Sequence, residues 1–267
     1  EAFITGINHA STLVQLPTLT VLTDPVFAER VSPLSWFGPK RVRAPGLDLD
    51  ALPPVDAVVV SHNHYDHLDI GSLAELRTRH PAVIIVPLGN KPLLDDAGIT
   101  RVVELDWWQT HTLPGGGAIT LVPAQHWSAR GLLDRSTALW GGYVLEAGDV
   151  RVFFAGDTGY GPHFRQIAAR FGPMDVSLLP IGAYEPRWFM RAQHMNPDDA
   201  VLAHLDLGSR HSLGMHWGTF QLTDEALDAP PRELATSLAS RGVAATRFEA
   251  LDPGRTWHLA SGPDGAH

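Results

Sequence analysis

Short apolar runs rich in Val, Ile and Leu recur along the chain, each closed by Gly, Pro, Asn or a polar cluster. They include "STLVQL", "LTVLTDP", "VDAVVVSH", "AVIIVPL", "RVVELDW", "AITLVPAQH", "GGYVLEAG", "RVFFAGDTG", "VSLLPIGA" and "HSLGMHWG". Their length and β-branched content predict strands. Helical spacing falls between some of them. Ser72 with Glu75 reads as a capping box opening "SLAELRTRH". "PHFRQIAARFG" has apolar residues three and four apart and stops at Gly172. "NPDDAVLAHLDLG" offers Asn196 as N-cap and Pro197 as first helical residue. "DEALDAPPRELATSLASRG" gives a further helix, with Pro230 and Pro231 at its start or at a break. "PGGGAIT" reads as a hairpin-type turn; no Lys-Ser/Thr follows to make it a phosphate loop. Without repeats or a low-complexity linker, residues 1–267 read as one domain. Strands come mainly first, with helices inserted between later strands, which suggests two packed sheets with helices on their outer faces.

Composition narrows the chemistry. The formal net charge of -9 argues against nucleic acid held by phosphate neutralisation, so no such partner is expected. The chain has no Cys, so any metal must use His, Asp, Glu or water, which suits zinc and some other first-row ions. Its 14 His are a heavy investment in the commonest metal ligand. No apolar run approaches a membrane span and no signal peptide is visible. The expected location is therefore soluble, in the cytoplasm or peripherally on a membrane. The chain starts at Glu1, so an upstream leader stays open.

Residues 61–69, "SHNHYDHLD", place three His and two Asp directly after the buried-strand pattern "VDAVVV". His62 and His64, two apart on an extended segment, share one face. Asp66 and His67 follow after the chain has turned. H-x-H-x-D-H can thus offer one pair to each of two adjacent ions. His126, Asp157 and His216 each end a later apolar run. One such His is ordinarily a satisfied core or loop residue; the whole set points to a metal site. In the resulting assignment, His62, His64 and His126 hold one ion, and Asp66, His67 and His216 the other. Asp157 bridges both. Two divalent ions on mainly neutral nitrogens attract anions, and an ion pair suits the in-line displacement of a phosphodiester by a hydroxide held between the metals.

These motifs, with "LTDPVF", "SPLSWFGPKRVR", "ELDWW", "PAQHWS", "FFAGDTGYGPHF", "RFGPMDVSLLPIGAYEPRWFM" and "MHWGTFQL", resemble the metallo-β-lactamase superfamily. More narrowly, they resemble N-acyl-phosphatidylethanolamine-hydrolysing phospholipase D and its bacterial relatives. The resemblance covers nearly the whole chain. It implies an α/β fold, the four-layer αβ/βα sandwich, two zinc ions, and hydrolysis to phosphatidic acid and an N-acylethanolamine. It implies the same seven metal ligands, Tyr65 as a substrate contact, and His194 on the phosphate. Asp66, Asp157 and His194 are then the catalytic candidates. Ala129 stands where mammalian members carry a Lys that helps bind bile acids, so that regulation is not expected.

Other readings stay open. A lactone or β-lactam hydrolase, or an enzyme for a different small phosphodiester, would use the same metals; a metal-dependent sensor would need no turnover. Partners are a phospholipid or small phosphodiester, with peripheral membrane contact and a homodimer as open options. His9 and Asp24 are candidates to orient the metal ligands, against the readings of a core His and a turn-initiating Asp. Tyr160 is a candidate to close over the site. The aromatics of "DWW" and "EPRWFM" read as core, and "GPKRVRAP" as a solvated loop or a contact for anionic head groups.

Overall fold

A computed structural model describes residues 1–34 and 36–259. The strands build two seven-stranded sheets. In spatial order the first holds β14 (Thr256–Leu259), β1 (Ala2–Asn8), β2 (Ser11–Leu16), β3 (Leu19–Thr23), β4 (Ala57–Val59), β5 (Val83–Pro87) and β6 (Val102–Leu105). The second holds β13 (Phe248–Ala250), β12 (His211–Met215), β11 (Val176–Pro180), β10 (Val150–Phe154), β9 (Gly142–Ala147), β8 (Gly117–Val122) and β7 (Thr110–Leu113). Both mix the two pairings. β3 to β6 run parallel, as do β10 to β13, and the remaining neighbours are antiparallel.

The uniformly apolar runs become strands buried on both faces, as parallel sheets require. Ala57, Val59, Val83 and Ile85 point into the core shared with Ile119, Leu121, Val144 and Phe153 of the second sheet. Their neighbours Val58, Val60, Ile84 and Val86 pack with Leu73 and Leu76 of α1 (Ile70–Arg79) and Leu94 of α2 (Lys91–Asp96). Phe164 and Ile167 of α3 (His163–Phe171), Val201 of α5 (Pro197–Asp206), which follows the short α4 (Arg187–Met190), and Leu234 and Leu238 of α6 (Ala229–Arg241) pack with the second sheet. The layers are helix, sheet, sheet, helix: the αβ/βα sandwich expected from the sequence. Tyr143 ties the sheets together, its hydroxyl donating to the Val60 carbonyl at 2.8 Å, just before the His-rich segment.

Two helix starts confirm the reading and one revises it. Asn196 caps α5 by accepting from the Asp199 amide, and Pro230 and Pro231 sit in the first turn of α6. The cap of α1 is Asp69, which accepts from the Gly71 amide. Ser72 instead donates to the Asp69 carboxylate and accepts from the Phe27 amide, so no capping box forms there. β1, β7, β13, β14 and α2 carried no clear pattern. They are short or part polar, and β1 is broken by a register shift between Gly6 and Asn8.

Two imidazoles outside the His-rich centre give the fold a pH dependence. Burial pushes His163 down to about 4, and burial with nearby Arg247 does the same for His204, whose Nδ1 lies 2.8 Å from the Ser212 hydroxyl. Unfolding returns both to about 6.5, so the unfolded chain binds more protons between these values. Stability is fully present above pH 6.5 and falls as pH drops toward 4. The expected contribution of His163 is about 3 kcal/mol at most. Urea midpoints at pH 7.5 and 5 should therefore differ, and His163→Gln should shrink the difference.

Candidate metal centre

The C-terminal ends of β3, β4, β8, β10 and β12 lie at one edge of the sandwich, where their loops converge. Asp24 follows β3, His62 follows β4, His126 lies beyond Val122, Asp157 beyond Phe154, and His216 directly follows Met215. The expected ligands thus sit in the loops just past the strands. All seven come together, in the grouping that the spacing suggested. His62 Nε2 is 2.8 Å from His64 Nδ1, which is 3.3 Å from His126 Nε2. His67 Nε2 is 3.2 Å from His216 Nε2, and Asp66 Oδ2 lies 3.3 and 3.5 Å from these two nitrogens. Asp157 stands between the trios. Its Oδ2 is 3.1 Å from His67 Nε2, 3.8 Å from His126 Nε2 and 4.0 Å from His62 Nε2, while its Oδ1 is 3.1 Å from His216 Nε2.

Hydrogen bonds behind the rings decide which nitrogen faces inward. Asp24, fully buried, is the hub. Its carboxylate accepts from the Ser61 amide at 2.7 Å, the Ser61 hydroxyl at 2.6 Å and His67 Nδ1 at 2.6 Å. Ser61 Oγ, having donated to Asp24, accepts from His62 Nδ1 at 2.9 Å. His126 Nδ1 donates to the Gln193 carbonyl at 3.0 Å. His62, His67 and His126 are thereby fixed with the proton on Nδ1 and the Nε2 lone pair turned inward. Such convergent lone pairs repel one another unless a cation lies among them. Asp157 Oδ1 and His194 Nδ1 are buried without a hydrogen-bond partner, and the donors are nitrogen and oxygen only. The residues present therefore fit divalent metal ions.

The electrostatics agree. Burial alone would raise the Asp66 and Asp157 carboxyls, yet His67 and His216 hold both well below the ordinary carboxylate range. Burial alone would lower His67 and His216. Asp157 instead holds His67 well above the usual imidazole value and His216 at about 9. His62 and His126, where burial wins, fall well below that value. Without an ion, protons on His67 and His216 supply the positive charge that the carboxylates demand.

His194 is buried rather than solvated, with Nδ1 3.9 Å from Asp157 Oδ2, and it joins His126 and Asp157 as a further grouping. Tyr65 lies at the rim. Its hydroxyl donates to the Arg130 carbonyl at 3.0 Å and its ring lies 3.9 Å beneath the Arg130 guanidinium. Arg130 also donates to the Asn63 and Leu68 carbonyls on either side of the ligand-bearing turn. His9 and Asp24 both touch candidate ligands, His9 through Asp66 Oδ2 at 2.9 Å.

Other expectations are corrected. Tyr160 does not close over the centre. Its hydroxyl donates to Asp206 of α5 and its ring stacks on Phe164. The core reading holds for Trp107 and Trp108 but fails for Trp188 and Phe189, which are 85% and 59% exposed. In "GPKRVRAP", Arg41 is no solvated side chain: it donates to the Val26 and Ala28 carbonyls. Ser61, the Gln193 carbonyl and Arg130 were not singled out. Ser61 alone had a signal, a hydroxyl at the end of a buried strand directly before the His motif.

The sandwich defines a protein of the metallo-β-lactamase fold, with a His/Asp centre whose donors fit metal ions. The beta-lactamase superfamily domain matches residues 20–217. A Caenorhabditis elegans protein named N-acyl-phosphatidylethanolamine-hydrolyzing phospholipase D 1 is 40% identical over 97% of this chain and 76% of its own length. The mitochondrial protein of the same activity name from Saccharomyces cerevisiae is 37% identical over 89% of this chain. This chain spans only 52% of the yeast protein. Among solved structures, an isothiocyanate hydrolase from Delia radicum gut bacteria shares the fold, with TM-score 0.74 at 19% identity over 97% of this chain and 99% of that one. The chain belongs to the beta-lactamase superfamily, and within it to the family of the N-acyl-phosphatidylethanolamine-hydrolysing phospholipase D relatives.

Proposed function

We propose that this chain is a dinuclear zinc phosphodiesterase of phospholipase D type, cleaving N-acyl-phosphatidylethanolamine-like diesters to phosphatidic acid and an N-acylethanolamine. The observation that carries this reading is the Asp157 carboxylate between two trios of donors, with the unpaired Nδ1 of His194 on the same side. His62, His64 and His126 would hold one ion, Asp66, His67 and His216 the other, and Asp157 both. Two ions bound there would polarise the phosphoryl oxygens and lower the pKa of coordinated water. Asp66 and Asp157 would offset part of the charge of ions held there. His194, pushed down to about 4 by burial, is neutral at working pH and free to donate one N–H to a phosphate oxygen. Tyr65, held flat under Arg130, forms a wall for the head group. Residues 1–267 as one catalytic unit are supported by a core drawn from both sheets.

The exposed apolar residues support a lipid substrate. Trp36, Phe37, Leu132 and Leu133 stand out from loops, and Trp188 and Phe189 from the short helix Arg187–Met190, in segments neighbouring Tyr65, Arg130 and His194. Arg30, Lys40, Arg187 and Arg191 lie in the same segments. Apolar tips with basic neighbours suit a phospholipid surface. No helix among the described residues is long and apolar enough to cross a membrane, so the contact proposed is peripheral.

The reading is tested with zinc-loaded protein on N-acyl-phosphatidylethanolamine, a chromogenic phosphodiester, a lactone and a cephalosporin. Preference for the two phosphodiesters is expected; preference for the lactone or cephalosporin would overturn it.

A further inference from the structure

Near the two trios, one residue touches members of the second by three routes and has no place among the seven proposed ligands. His9 follows β1 and is buried. Its Nε2 lies 2.9 Å from Asp66 Oδ2, the oxygen that also faces His67 and His216. Its carbonyl accepts the His216 amide at 2.7 Å. Its ring packs 3.8 Å from the His216 ring, with Phe220 edge-on at 5.2 Å. Its own amide is held by the Thr219 hydroxyl at 2.9 Å. Both His9 (φ 41°) and His216 (φ 63°) adopt the left-handed backbone region that side chains other than Gly rarely take. Such strain persists where the surroundings over-determine the conformation, and here the two strained residues are bonded to each other.

The ring's protonation follows from its partners. Asp66 can only accept, so Nε2 carries the proton. Nδ1 is buried with no protein partner. His9 lines two cavities of about 20 and 10 Å³, the smaller shared with Asn8, whose amide oxygen and nitrogen are likewise unpartnered. The larger has room for one water.

We infer that His9 is a positioning residue for one of the two metal sites: by donating to Asp66 while bracing His216, it sets the affinity of the second trio and leaves the first untouched. A water in the adjoining cavity would donate to Nδ1 and hold the ring in this tautomer. The inference rests on the dinuclear reading above. The orienting partners of metal ligands are commonly worth about 10–100-fold in metal affinity.

The test is zinc titration of metal-free protein against a competing chromophoric chelator, for the native chain, His9→Gln and His9→Phe, with the melting temperature of each metal-free protein. Gln keeps a donor for Asp66; Phe keeps the ring packing and removes the donor. The expected result is two ions on the native chain and on His9→Gln, with the second bound within about tenfold of native in the Gln variant. In His9→Phe the second ion should weaken by about 10–100-fold while the first is unchanged. Native affinity for both ions in His9→Phe would overturn the inference. So would equal weakening of both ions, or failure of the Phe variant to fold, either of which makes His9 a packing residue. Equal loss in the Gln and Phe variants would also overturn it, making His9 a ligand itself. If the native chain binds one ion or none, the dinuclear reading fails instead, and the two failures are told apart by the native titration alone.

Discussion

Asp157→Asn is expected to remove bound zinc and turnover together. The carboxylate faces both trios, with Oδ2 3.8 Å from His126 of the first and Oδ1 3.1 Å from His216 of the second. An amide of the same shape keeps one oxygen and turns an NH2 toward the other side. That NH2 cannot ligate a cation. Metal content should fall below two ions per chain. Several kcal/mol of charge stabilisation in the transition state would go with it, a loss of about a thousandfold or more in kcat/KM. Elemental analysis and steady-state kinetics on one preparation check both parts. Survival of turnover at native metal content would contradict the bridging role.

Asp24→Ala is the second large effect, and it appears first in stability. The carboxylate is fully buried and takes three donors, two from Ser61 and one from His67. Removing it strands all three and releases the tautomers of His62 and His67. A broken buried network of this kind costs about 3–5 kcal/mol, or roughly 10 °C in melting temperature for a chain of this size. Asp24→Asn keeps the shape but presents an NH2 to one of the donors. It should cost less stability while still weakening zinc about 10–100-fold. Thermal melts and metal titration of both variants check this. An Ala variant that melts with the native chain would show that Asp24 is a turn residue only.

The seven clustered residues were legible because their information is local. A spacing of two on an extended segment converges His62 and His64, and the later His and Asp stand just past buried strands whose ends the topology gathers. Asp24 was visible for a similar reason, as an acid at the end of "LTVLT". What was not legible depends on where distant loops land. Nothing in "DTGY" says that Tyr160 will meet Asp206, 46 residues further on. The Gln193 carbonyl that orients His126 is a backbone group, and any residue would supply it. The cap of α1 was ambiguous in principle, since Asp69 and Ser72 are both good caps and only the Phe27 amide, which takes up the Ser72 hydroxyl, selects between them. Trp188 and Phe189 read as core because aromatics ordinarily are; their exposure is a property of the surface, which hydrophobic periodicity over so short a segment does not reveal.

The central claim is that the chain cleaves a diester at phosphorus, on the phosphatidyl side of the head group. Zinc-loaded protein is incubated with N-acyl-phosphatidylethanolamine in water labelled with oxygen-18, and the products are resolved by mass spectrometry. The account predicts the label in the phosphate of phosphatidic acid and none in the N-acylethanolamine. Label in a released fatty acid, with the phosphodiester intact, would make this a carbonyl hydrolase and contradict it.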